Sequence, residues 1–236
     1  MVNEKKTWPL FNERSIKLSV NNKKKSLIIQ KVLNRTYPKV PIPLSYRNTF
    51  TLLISVLLSA QCTDVNVNNV TKNIYPKYNH PKHFVKLGRK KIERLIKKIG
   101  IFRVKAKSIY YLSKTLVEKY NCKVPNTYEE LEQLPGVGHK TAGVVMSQGF
   151  GYPAFPVDTH IHRLAQRWGL TNGKNVIQTE KDLKETFPKK NWNKLHLQII
   201  WYGREYCKAR DCFGLTCKIC KNCYPNRKKK LITKKA

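Results

Sequence analysis

Lys140 combines a reactive side chain with a position at the start of a predicted helix. It follows Gly136-Val137-Gly138, two glycines that permit a tight turn before the new helix begins near His139. A lysine that has lost its proton can act as an amine nucleophile through a Schiff base. Most lysines in a first helical turn are solvated or bind phosphate instead. The segment therefore predicts either a nucleophile or a phosphate contact.

Asp158 stands directly before a second predicted helix, residues 158–168. An aspartate at this position usually caps the helix by accepting a backbone N–H. A carboxylate in the same cleft as Lys140 could also stabilise positive charge or assist proton transfer. The two roles are compatible, because capping would fix the carboxylate in place.

The turn before Lys140 also predicts a phosphate site. Glycines let backbone N–H groups approach an anion closely, and the start of the following helix adds its positive end. Such a contact holds one DNA phosphate without reading the base sequence. The alternative is a purely structural turn between two helices.

Five of the seven cysteines lie between residues 207 and 223, which argues against a secreted disulfide framework. Four thiolates can hold a [4Fe–4S] cluster or a tetrahedral zinc ion, and cysteines alone do not distinguish the two. Cys217, Cys220 and Cys223 can curl round one centre, and Cys207 can close it from the end of a helix. These four are the predicted ligands and Cys212 is free, with Cys212 in place of Cys223 as the alternative.

The elements that must position these groups are predicted to be helices throughout. Ile92, Leu95, Ile96 and Ile99 follow the helical period, and Thr127 with Glu130 forms a capping-box pattern. Glycines and prolines separate about ten such segments, and no strong strand alternation occurs. We expect an all-α protein. The main predicted helices are residues 26–35, 50–60, 64–75, 106–120, 139–150, 158–168, 179–187 and 192–206.

The charge balance points to a polyanionic partner. Lys and Arg number 47 and Asp and Glu number 14, a formal net charge of +33, which favours nucleic acid. General enrichment in Lys, Asn and Ile is the alternative source of part of this charge. The strongest apolar run, residues 52–60, is far shorter than the ~20 residues of a membrane span. With no signal-peptide core, we expect an intracellular, cytoplasmic protein without a membrane partner.

Several motifs together resemble the endonuclease III family of helix-hairpin-helix DNA glycosylases. They are LPGVGHKTAGVV and VDTHIHRLAQR around Lys140 and Asp158, preceded by LLISVLLSAQCTDVNVN and IGIFRVKAKSI and followed by GKNVIQTEKDL. The resemblance extends from about residue 26 to 225. It implies a bifunctional glycosylase and abasic-site lyase that removes oxidised pyrimidines, with Lys140 as nucleophile and Asp158 as its partner.

The same resemblance implies two helical domains with a DNA cleft between them. Residues 48–154 would form a central six-helix domain with the hairpin, and residues 26–47 would pack with 155–206. Residues 207–225 would form a [4Fe–4S] loop, with zinc as the alternative. The family spacing is C-x6-C-x2-C-x5-C, and this chain departs from it. Residues 1–25 and 226–236 are expected to be a mobile basic arm and a similar basic tail.

The resemblance also implies residues that enter or hold the duplex. A glycosylase takes its target base out of the stack. Gln61 would fill the gap and Ile101 would wedge the opposite strand, whereas their ordinary roles would be a helix-end polar residue and an inward-packed loop residue. The hairpin residues expected to bind DNA are Gly136, Val137, Gly138 and His139. The expected partner is double-stranded DNA with damaged bases or abasic sites, bound by a nucleoid-associated monomer.

Two other functions compete with this interpretation. An adenine-specific mismatch glycosylase of the same superfamily usually lacks a lysine at the position of Lys140 and carries an extra C-terminal domain. A non-catalytic iron–sulfur DNA-binding or electron-transfer protein would not need the hairpin, Lys140 and Asp158 together.

Overall fold

A computed structural model describes the backbone of residues 13–236 and the side chains from residue 22 onward. This part of the chain is helical and contains no strand, which confirms the predicted all-α class. A π-helical turn, Val145–Gly149, extends α7, and a 3-10 turn, Lys189–Asn191, precedes α10. The helices are α1 Glu13–Thr36, α2 Thr49–Ser59, α3 Asp64–Thr71, α4 Pro81–Leu95, α5 Phe102–Lys119, α6 Tyr128–Glu132, α7 His139–Val144, α8 Thr159–Trp168, α9 Val176–Thr186, α10 Trp192–Glu205 and α11 Lys218–Cys223.

Helix α2 is the apolar centre of the first half of the protein. A capping box begins it: Thr51 N–H donates to the Asn48 side chain, and Asn48 N–H donates to the Thr51 hydroxyl, both at 2.9 Å. Every residue from Phe50 to Leu58 is buried, as the uninterrupted apolar run predicts. None of the described helices, α2 included, combines the length and apolar character that crossing a membrane requires.

The buried apolar side chains form two clusters. The first surrounds α2 and draws on α3, α4, α5, α6 and α7. The second surrounds α8 and α10 and includes Ile29, Leu33 and four buried cysteines. The change from one cluster to the other falls between Met146 and Phe155, beside the expected domain boundary. The assignment of two domains stays a prediction.

The two chain ends differ from the expected basic arm and tail. Helix α1 is already formed at Glu13, the first described residue, rather than starting near residue 26. Lys25 is buried and donates to the Tyr224 hydroxyl at 2.9 Å. Residues 1–12 of the expected arm lie outside the described residues. The tail is attached to the second cluster, where Gln166 exchanges two hydrogen bonds with the backbone of Lys234.

Candidate functional site

The turn before Lys140 is fixed by the lack of a side chain at Gly136. Its φ of +81° is left-handed, and a Cβ there would lie 2.7 Å from the Ser108 Cβ and 3.2 Å from Leu57. The turn therefore packs directly on α2 and α5. A Cβ at Gly138 would meet nothing within 4 Å, and no side chain caps the start of α7. This end of α7 is open to a ligand.

The other two hairpin residues have partners within the protein. Val137 is a core residue: its side chain is buried and its N–H donates to the Leu134 carbonyl. Its DNA contact stays a prediction. The His139 ring contacts Glu132 at 2.8 Å and Glu180 at 3.4 Å and stacks on Tyr128. The predicted DNA contact of His139 therefore rests on its backbone N–H.

Lys140 and Asp158 line one cleft between the two hydrophobic clusters, as the sequence predicts for a shared site. The polar residues of the cleft come from five helices and their caps, and its floor is aliphatic. The lining includes Leu52, Val56, Ser59, Asp64, Lys140, Gln148, Asp158, His196, Ile200 and Arg204.

Asp158 caps α8 and still presents a carboxylate to the cleft. Its Oδ1 accepts the Ile161 N–H at 2.8 Å, and its backbone is extended, as an N-cap requires. Among the residues with described side chains it has no ion-pair partner. The cap therefore holds one oxygen and leaves the other for a ligand.

His196 of α10 is a cleft residue that the sequence did not single out. It is 2% exposed, and neither ring nitrogen has a hydrogen-bond partner. Burial lowers the pKa of His196 to about 4, with opposing effects from Asp158 and Lys140. The imidazole is thus neutral near pH 7 and offers one donor and one acceptor to the cleft. A lone histidine in an amphipathic helix gives no sequence signal that separates this role from ordinary packing.

An ion pair joins the two sides of the cleft. Arg204 of α10 contacts the Asp64 carboxylate of α3 in the first cluster. Asp64 does not cap α3, because the Thr63 side chain accepts the Asn66 N–H and is the N-cap. Asp64 lies one residue further along, where its carboxylate is available to Arg204.

Gln61 and Ile101 lie on two neighbouring loops. Both are exposed and both have left-handed backbones, with φ of +53° and +49°. A positive φ is costly for a β-branched side chain, and such strain concentrates at functional sites. The loops are in contact: a Cβ at Gly100 would lie 3.7 Å from the Gln61 carbonyl oxygen. Ile101 is not packed inward, so the ordinary role considered for it is wrong.

Lys105 connects these two loops and is a second residue that the sequence did not single out. Its side chain is 3% exposed, and Nζ donates to the Leu58 carbonyl at 2.9 Å and to the Ala60 carbonyl at 2.6 Å. It thereby satisfies carbonyls at the end of α2, directly before Gln61. Burial lowers the pKa of Lys105. Its own N–H donates to the Ile101 carbonyl.

The cysteine loop gathers a different set of four thiols from the predicted one. The Sγ atoms of Cys207, Cys212, Cys217 and Cys220 all lie within 4.8 Å of one another, and all four residues are buried. The prediction that Cys223 is a ligand and Cys212 is free is therefore wrong, and the alternative set is the one assembled. These four residues form a candidate metal-binding site.

Helix α11 is the physical reason for the difference. Residues 217–223 were expected to curl as a loop, but Lys218–Cys223 is helical with Cys217 at its N-cap. Cys220 lies in the first turn, beside Cys217. Cys223 lies three residues further, about 4.5 Å along the helix axis, and is carried away from the centre.

The separation of the thiols tests which group they suit. In a [4Fe–4S] cluster each cysteine thiolate binds a different iron, so the iron and sulfide atoms keep the four cysteine Sγ atoms well apart. Here the Cys220 sulfur is 3.8 Å from that of Cys212 and 3.9 Å from that of Cys207. These two separations are shorter than the spacing that a four-iron cluster imposes on its cysteine ligands.

Comparison with known proteins identifies relatives along most of the chain. Residues 54–189 match the model of the HhH-GPD superfamily of base excision DNA repair proteins. Endonuclease III of Bacillus subtilis (strain 168) is 41% identical over 194 residues, which cover 82% of this chain and 89% of the relative. Endonuclease III of Escherichia coli (strain K12) is 42% identical over 189 residues, covering 80% and 90%.

Solved structures give the same result. A non-covalent endonuclease III–DNA complex matches with a TM-score of 0.80 at 40% identity, covering 84% of this chain and 92% of that one. A trapped endonuclease III–DNA covalent intermediate matches with a TM-score of 0.79 at 39% identity, covering 84% and 93%. The helical arrangement described above is therefore the endonuclease III fold.

Replacing Lys105 by methionine tests the connection between the two loops. Lys105→Met keeps the aliphatic packing but leaves the Leu58 and Ala60 carbonyls without their donor. We expect the free energy of unfolding, measured by urea titration, to fall by about 1–3 kcal/mol. Lys107→Met on the exposed side of the same helix is the matched control. Equal stability of the two variants would contradict the assigned role.

Proposed function

The chain belongs to the endonuclease III family of the HhH-GPD superfamily, and we propose that it removes oxidised pyrimidines from DNA through Lys140. It is a base-excision-repair DNA glycosylase and abasic-site lyase. The assignment of Lys140 and Asp158 rests on the cleft that they share. It holds the exposed Lys140 at the uncapped start of α7 and Asp158, which caps α8. The adenine-specific and non-catalytic alternatives give no reason for this pairing.

The proposed reaction begins with attack of the Lys140 amine on the sugar of the damaged nucleotide. The Lys140 nitrogen donates its electron pair to form a bond to C1′, and the bond from C1′ to the base breaks. The base leaves with the electron pair of the broken bond and takes up a proton. Opening of the sugar ring then gives a protonated Schiff base. This cation makes the C2′ proton acidic. Removal of this proton leads to cleavage of the C3′–O bond, which releases the 3′ phosphate and nicks the strand.

Asp158 and His196 have complementary parts in this proposal. Positive charge develops on the sugar as the base departs, and the uncapped oxygen of Asp158 can stabilise it in a cleft with an aliphatic floor. The neutral His196 ring can accept or donate a hydrogen bond beside it without adding a positive charge. The cleft thus favours the cationic transition state over the neutral substrate.

DNA binding is proposed to use the backbone of the hairpin and two inserted side chains. The open N–H groups at Gly138 and His139 would hold one phosphate, with the turn fixed by Gly136. Gln61 would occupy the gap left by the extruded base, and Ile101 would separate the opposite strand. Their exposure and their neighbouring loops support this assignment.

The metal centre has no step in this chemistry. Family membership by itself favours a [4Fe–4S] cluster, but the thiol separations in this chain do not fit one. The proposed role of the metal centre is to fix the loop after α10 against α8. We further propose that the protein acts as a monomer on damaged or abasic duplex DNA in the nucleoid.

Borohydride trapping on abasic-site DNA tests the nucleophile. Lys140→Gln and Lys140→Arg should both abolish the covalent protein–DNA product and strand nicking, because neither side chain can form a Schiff base. The arginine variant should keep near-normal binding, since it retains the charge. Lys114→Gln on α5 is the control for loss of one exposed lysine. Substantial trapping by Lys140→Arg would mean that another amine attacks the sugar.

Asp158→Asn separates the charge of this residue from its capping role. Asparagine caps helices about as well as aspartate, so stability should change by less than about 0.5 kcal/mol. Turnover of a base lesion should fall by about 100-fold or more, because the carboxylate no longer assists the reaction. Single-turnover base release and thermal unfolding measure the two effects. Near-normal turnover would show that Asp158 is only a cap.

A further inference from the structure

We infer that the cysteine centre of this chain is a single tetrahedral zinc ion held by Cys207, Cys212, Cys217 and Cys220. This goes beyond the proposed glycosylase and lyase activity and does not rest on it. The inference rests on four buried thiols whose sulfur atoms lie at the separations that one bound ion requires.

The distances distinguish the two candidate groups. Four sulfurs at about 2.3 Å from one zinc ion lie about 3.8 Å from one another in a regular tetrahedron. Two of the Sγ separations, 3.8 Å (Cys212 to Cys220) and 3.9 Å (Cys207 to Cys220), match this edge, and no pair exceeds 4.8 Å. A four-iron cluster would have to push the thiols apart in a site where all four are already buried.

The spacing of the cysteines explains how this set forms. The ligands follow the pattern C-x4-C-x4-C-x2-C, with Cys207 after α10, Cys212 in the connecting turn and Cys217 at the N-cap of α11. Cys220 follows in the first turn of α11. The short intervals between the ligands keep the loop tight around one centre, and Cys223 is left half-buried outside it.

The surroundings suit deprotonated thiols. The buried Arg167 guanidinium lies 3.4 Å from the Cys207 sulfur and also donates to the carbonyls of Lys208 and Ala209. The Cys217 N–H donates to the Cys212 sulfur at 3.5 Å. Zinc with four thiolates carries about two excess negative charges, which a buried guanidinium and backbone N–H groups partly balance.

Metal analysis of the whole protein tests the inference without using activity. The protein is purified anaerobically from cells supplied with both iron and zinc. We expect about one zinc per chain, no acid-labile sulfide and no broad visible absorbance, with four sulfurs at about 2.3 Å in the zinc X-ray absorption spectrum. Iron and sulfide at about four each per chain, or a chain with no metal, would overturn it.

Single substitutions test the ligand set. Cys212→Ser should lower the zinc content several-fold, whereas Cys223→Ser, the matched control on α11, should keep it. The reverse result would overturn the assignment. Because Cys212→Ser could fail to fold, thiol labelling of the native wild-type protein provides a second measurement. Cys223 should be modified and Cys212 protected until a chelator and denaturant are added, and labelling of Cys212 in the native zinc protein would contradict the inference.

Discussion

The hydrogen bond from the Ile161 N–H to the Asp158 carboxylate places the start of α8 at the cleft, and much of the second half of the protein is arranged along that helix. The opposite face and end of α8 hold the cysteine loop, where Arg163 and Arg167 donate to its carbonyls. One helix therefore has the proposed cationic-sugar stabiliser at its N-terminus and the metal loop beside its later turns. In the proposed function this loop supports the cleft by fixing α8 and takes no part in the chemistry.

The cleft reconciles two opposite electrostatic demands. A net charge of +33 attracts a polyanion, yet a cationic transition state needs a negative group at the centre. Arg204 pairs with Asp64, whereas Asp158 has no cationic partner among the described side chains. His196 adds polarity without charge because its burial keeps the ring neutral. The carboxylate is thus kept available where the sugar would lie, within a protein whose surface favours phosphate.

Membership of a family does not by itself determine the metal that a chain binds. The chain matches the endonuclease III fold over 84% of its length, and within this fold the buried Arg167 holds the loop after Cys207. Moving the cysteines by a few residues changes which thiols a short helix can bring together. In the zinc centre inferred above, the four close thiols would hold one ion, and that ion would cross-link the loop as a structural centre does.

The sequence by itself determined the all-α class, the helix starts beside Lys140 and Asp158, and the presence of a metal-type cysteine cluster. These depend on local periodicity, glycine and capping patterns, and side-chain chemistry, which short segments specify. Tertiary structure decided that Cys212 rather than Cys223 joins the centre, because the helical course of α11 rotates and advances each thiol. It also revealed His196 and Lys105, whose roles come from burial against residues far away in the chain. No local pattern encodes such contacts, since they form only when separate helices pack.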